Sequence, residues 1–247
     1  ITGAKFSESF MTPITPKSIL FLLQSGWPAD MIFPIAVDSI NGLRARVAAG
    51  SSQRTGDPKY YRLVALLREI QKSGAIGMRI KKESEQKQTT VLFFHRRNIP
   101  PDTLAAMAEI NELLGLKADS QEINVTYGLI ARSGAEIAMQ TRSTLQVMID
   151  LATQIDVPPE HVADGQTVPS LPPPSGTEEA IGELIKVHSG PEKPENAFTA
   201  VKYEDHWFWI DKTDFRSKRT FAFLMILFSL TETGGSDALP LVTIPAG

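Results

Sequence analysis

WFWIDKTDFRSKRTFAFLMILFSL occupies residues 207–230 and sets the reading of everything around it. Its first five residues, WFWID, are aromatic and β-branched, the composition of a strand. A charged turn, KTDFRSKR, follows, and then the run TFAFLMILFSL from 220 to 230. That run is apolar at nearly every position, so no one-sided stripe is visible, and a helix covered on all sides is expected, with Leu224 and Phe228 in the interior. A membrane span needs about 18 to 20 uninterrupted apolar residues. Here Arg216, Lys218 and Arg219 stand before the run and Thr231, Glu232 and Thr233 after it, which points to a central helix instead. Asp211 or Thr213 is placed to cap its start, and Gly234-Gly235 to end it.

Working outward, residues 197–203 and 206–210 form a strand pair across Glu204-Asp205, so the central helix closes a strand-strand-helix unit. Two similar units precede it. In the first, strands 75–81 and 89–95 flank a polar tip and lead into a helix over 101–116; in the second, strands 122–131 and 136–140 flank the turn RSGA and lead into a helix over 143–155. The N-terminal part reads as three helices: 15–26, opened by Thr15-Pro16 and stopped by Gly26; 30–46; and 59–72, closed by Gly74. A loop over 48–58 separates the last two. The expected class is therefore α+β, with N-terminal helices followed by repeated strand-strand-helix units, and an antiparallel sheet packed on helices with a buried C-terminal helix. The chain divides into a helical region over 1–74, two units over 75–156, a proline-rich linker or arm over 157–180 and a last unit over 181–247, or it forms a single domain overall. Trimming residues 169–175 of the arm, whose only large apolar side chain is Leu171, is expected to leave the melting temperature nearly unchanged.

A length of 247 residues allows a sizeable core, and 42% hydrophobic with 21% charged residues is ordinary for a globular protein. The net charge of −3 gives no general pull toward nucleic acid or an anionic membrane, so no nucleic-acid partner is expected. Cysteine is absent, which removes disulfides, thiolate metal sites and a cysteine nucleophile from this stretch of chain.

No catalytic motif stands out, and no cofactor or metal is expected. His95, His161, His188 and His206 are scattered singly, without the close spacing of metal ligands. Phosphate-cradling glycine loops and a GxSxG elbow are missing. Ser84 and Lys87 make an S-x-x-K match, but in a polar hairpin tip where nothing would depress the lysine pKa. Asp211 and Asp214 are spaced like paired carboxylates and are better explained as helix caps. Arg216, Lys218 and Arg219 lie in the first turns of a helix, where the dipole disfavours cations, and Arg142 precedes another helix. Pairing with Asp211, Asp214, Glu204 or Asp205 is the plain explanation; an anion or partner contact at Arg142, Arg216, Lys218 and Arg219 is the sharper one.

Three blocks, SILFLLQSGWPADMIFPIAVDSINGLRAR, MQTRSTLQVMIDLA and WFWIDKTDFRSKRTFAFLMILFSL, together resemble a family of uncharacterised proteobacterial envelope proteins that are often predicted to be lipoproteins. The resemblance implies a periplasmic location, outer-membrane anchoring through a lipidated cysteine ahead of Ile1, and no assigned catalytic residues. The expected function is a non-enzymatic envelope role in binding another envelope protein. The alternative is an enzyme or small-ligand binder whose site is assembled from dispersed residues near Arg142, His206, Asp211 and Arg216.

Overall fold

A computed structural model describes residues 10–48, 54–82, 88–94, 99–117, 122–170 and 183–232. The protein is α+β. Helices α1 (Pro16–Gln24) and α2 (Ala29–Ala36) lead into the short hairpin β1 (Val37–Ile40) and β2 (Leu43–Arg44), and then into α3 (Pro58–Ser73). The three strand-strand-helix units follow: β3 (Ile76–Lys82), β4 (Gln88–Phe94) and α4 (Pro101–Leu114); β5 (Glu122–Tyr127), β6 (Glu136–Thr141) and α5 (Thr144–Ala152); and, after the short helix α6 (Pro159–Ala163) and β7 (His188–Gly190), the strands β8 (Ala197–Tyr203) and β9 (His206–Asp211) with α7 (Phe215–Glu232).

The helix boundaries obey local chemistry. Thr15 accepts a hydrogen bond from the Ser18 N–H at the start of α1, Asp57 accepts from Lys59 N–H at the start of α3, and Ser143 and Gln146 make a reciprocal capping box on α5. Gly74 and Gly115 end α3 and α4 in the left-handed region, where a Cβ would be strained.

One N-terminal expectation fails. Residues 30–46 are not a single helix: α2 stops at Ala36, and the chain turns through Asn41 (φ 46°) and Gly42 (φ 83°) into a two-residue hairpin. Asn-Gly at those positions suits a turn that needs positive φ twice, and that demand overrides the apolar helical pattern around it. The Asn41 side chain then anchors the hairpin, donating to Leu114 O at 2.8 Å and accepting from Ala138 N–H at 2.7 Å.

Six strands form the larger sheet in the order β2-β1-β6-β5-β4-β3, and three form the smaller in the order β7-β9-β8. Pairing is antiparallel throughout, except between β5 and β6, which run parallel with Asn124 opposite Glu136 and Tyr127 opposite Met139. The expected hairpin around RSGA is thus a crossover. Residues 128–135 reach at most about 26 to 29 Å when extended, more than the return of roughly 16 Å along β5 requires. The return is fixed by Glu136, whose carboxylate accepts from Arg132 N–H at 2.8 Å and Thr126 Oγ1 at 2.7 Å. Gly134 makes a close approach there: a Cβ would lie 2.9 Å from Lys117 Cγ, and the lysine side chain would have to shift.

Helices α1 to α4 cover one face of the larger sheet, and Ile123, Val125, Ile137 and Met139 point into them. A single cluster of buried apolar side chains continues from Ile14 to Leu227. The last helix joins it by one face only. Thr220, Phe223 and Leu227 are buried, whereas Met225 is 52% exposed, Ile226 37% and Phe215 71%. The all-round covering expected of residues 220–230 is therefore incorrect: Leu224 and Phe228 are partly exposed, and the interior contacts fall to Phe223, packed on Trp27 at 5.4 Å between ring centroids, and to Leu227. None of the described helices is long and apolar enough to cross a membrane.

Candidate functional site

Arg142, the first of the sequence candidates, is an interior residue. Its side chain is 6% exposed and pairs with Asp150 (15% exposed) at 2.9 Å. The guanidinium also donates to the carbonyls of Pro34 (3.2 Å), Ile35 (3.4 Å) and Arg46 (2.6 Å). A helix leaves its last four carbonyls without intrahelical partners. For α2 these are Pro34, Ile35, Ala36 and the C-cap Val37, and every one is served: Pro34 and Ile35 by the Arg142 guanidinium, Ala36 by Arg142 N–H at 2.8 Å, and Val37 by Tyr60 Oη at 3.0 Å. A cation there also complements the negative end of the helix dipole. Burial pushes the Tyr60 phenol well above its ordinary range, so it stays a neutral donor. Arg142 is thus a structural clamp, fully engaged by the protein and not open to an external anion. Tyr60 and Asp150, its partners in that clamp, carry no motif and were not singled out from the sequence.

The cations at the start of α7 do not converge either. Lys218 Nζ donates to Lys212 O at 2.9 Å and lies 5.6 Å over the Phe198 ring, Arg219 lies 6.0 Å over the Phe215 ring, and Arg216 is exposed at residue level. Partial burial of its guanidinium holds the Arg216 pKa below the usual value, partly offset by Asp30. None of the three forms an ion pair with Asp211, Asp214, Glu204 or Asp205 among the described residues. The acids are occupied locally: Asp214 caps α7 by accepting from Ser217 N–H at 3.0 Å, and Asp211 accepts from Thr213 N–H at 2.7 Å. Hydrogen bonds from the Thr213 hydroxyl and amide hold the Asp211 carboxyl below the usual range. The helix cap expected of this pair is present at Asp214.

His206, at the head of β9, is 7% exposed and bonds Glu160 Oε1 through Nε2 at 2.8 Å, with the His161 ring edge-on at 4.8 Å. These contacts dock α6 against the small sheet. Ser170 closes the same excursion by donating to Ile155 O at 2.7 Å and accepting from Val157 N–H at 3.0 Å, so residues 157–170 of the linker or arm form a closed loop. Residues 171–182 lie outside the described part, as do Ser84, Lys87 and the Gly234-Gly235 stop.

The dispersed site of Arg142, His206, Asp211 and Arg216 therefore does not assemble. His206 and Asp211 lie at opposite ends of β9, about 16 Å apart, on opposite faces of the strand. Arg142 is enclosed against α2, and Arg216 stands at the head of α7. No group of three or more histidine, aspartate or glutamate side chains that could hold a metal ion occurs among the described residues. An apolar cavity of about 20 Å³ under helices α1 to α4, bordered by Leu20, Phe33, Leu67 and Met139, has room for little more than a water molecule and takes in none of the four candidates.

What remains unserved by the fold is a strand edge. Among the described residues, strand β8 pairs with β9 on one side and with no strand on the other, and six of its seven residues are exposed, including Phe198 (47%), Val201 (62%) and Tyr203 (61%). No match was found. Family models, curated proteins and solved structures were all compared with the chain, and none matches it.

The docking of α6 yields a testable consequence. The Glu160 carboxyl is held below the usual range, first by its own backbone N–H and then by His206. A depressed carboxylate contributes above its unfolded pKa and ceases to contribute as pH falls through the lowered value. The protection of the Asp164 amide, whose N–H bonds Glu160 O at 2.9 Å, measured against the intrinsic exchange rate at each pH, is therefore expected to fall in Glu160→Gln at pH 7 and in the wild type as pH falls through the carboxylate range. Unchanged exchange in the variant would show that α6 is held by something other than this pair.

Proposed function

We propose that this protein works by binding another protein, with the open edge of the small sheet and the outward side of α7 as the contact surface. The observation that carries this reading is β8. An exposed strand edge is a template for pairing, and proteins usually blunt such edges by shortness, charge, proline or bulges. The opposite edge, β7, is only three residues long, and the seven-residue edge β3 of the larger sheet carries Arg79, Lys81 and Lys82. Protection of β8 is slight: a bulge between Ala197 and Thr199, and Lys202 near its end. Its middle, Thr199-Ala200-Val201, is unguarded, which is the arrangement used when an added strand supplies main-chain hydrogen bonds and alternate side chains supply specificity. Phe215, Met225 and Ile226 extend the apolar surface along α7.

A partner in the cell envelope and a periplasmic location at the outer membrane belong to the proposal, supported by the resemblance of the three sequence blocks alone. The test is a photo-crosslinking side chain placed at Val201 or Met225 in the producing cell, with Leu104 on α4, 48% exposed, as the control position. Adducts of one or a few discrete masses are expected from Val201 and Met225 and not from Leu104. Indistinguishable patterns from all three, or none at all, would overturn the reading.

A further inference from the structure

We draw no further inference here: the strongest candidate, the face of the small sheet that carries Trp207 and Trp209 on β9, holds the Lys193 ammonium 5.6 Å over one ring and His188 stacked 5.5 Å from the other, and nothing in the structure shows what would cover it.

Discussion

Replacing Arg142 by methionine is expected to lower the free energy of unfolding by about 3 to 5 kcal/mol, the range seen when one member of a buried ion pair is removed. Methionine keeps much of the side-chain volume, so the loss reports charge and hydrogen bonding and not a cavity. Three carbonyls, of Pro34, Ile35 and Arg46, lose their donor, and Asp150, only 15% exposed, keeps the Ala48 N–H at 2.8 Å but loses its counterion. Each orphaned buried acceptor costs on the order of 1 to 3 kcal/mol unless water reaches it. Lysine in place of arginine should recover only part of the loss, since a single ammonium cannot fork between the end of α2, the Arg46 carbonyl and Asp150. Asp150→Asn should cost less than Arg142→Met, because the guanidinium retains its carbonyl partners. Urea melts of the four proteins at pH 7 give the ordering. A loss below about 1 kcal/mol for Arg142→Met would show that solvent serves the end of α2 and that the clamp is not a structural necessity.

That clamp marks where sequence reasoning stops. Local signals transferred well: Thr15-Pro16 and Ser143 lie where hydroxyl and proline start helices, and Gly74 and Gly115 end them, whereas Asp57-Pro58, read as the end of a loop, opens α3. Glu204-Asp205 turns β8 into β9 as its position between two aromatic runs implied. Asn41-Gly42 carried a hairpin signal just as local, but it was hidden by the apolar residues on both sides, which fit a helical period equally well. The direction of the β5–β6 pair had no local signature at all. A turn such as RSGA is compatible with a hairpin or with the end of a return loop, and the choice is made by the contacts of Gly134 with Lys117 and of Glu136 with Thr126 and Arg132.

The candidate site was less legible for the same reason. Arg142 was recognisable as a cation at an unfavourable place relative to α5, but its partners are the end of α2, far away in sequence, and Asp150, two turns along α5. Whether a cation is a binding group or a clamp depends on what surrounds it. Exposure of β8 was equally hidden, since AFTAVKY reads like any strand and only the strand order of the small sheet leaves its outer edge without a partner among the described residues.

The second large effect is expected at Phe223, and it measures how α7 lies. Phe223→Ala should destabilise by about 3 to 5 kcal/mol, as truncation of a fully buried aromatic does, and Leu227→Ala by about 2 to 5 kcal/mol. Both side chains are 0% exposed, and Phe223 closes over Trp27 from the loop between α1 and α2, so its loss opens a cavity where the last helix meets the first. Met225→Ala and Ile226→Ala, on the opposite side, should stay within about 1 kcal/mol, because those side chains keep much of their surface in water. The contrast is the informative quantity. A helix buried on all sides would lose comparable amounts at 223, 225, 226 and 227, whereas a helix with one wet face alternates with the 3.6-residue period of its turns. Leu224 and Phe228, on the flanks, should fall between the extremes, Phe228 through its contact with Phe10 at 6.2 Å. Equal losses at Phe223 and Met225 in urea melts would mean that the outward face of α7 is covered, and the apolar surface assigned to partner binding would lose half of its extent.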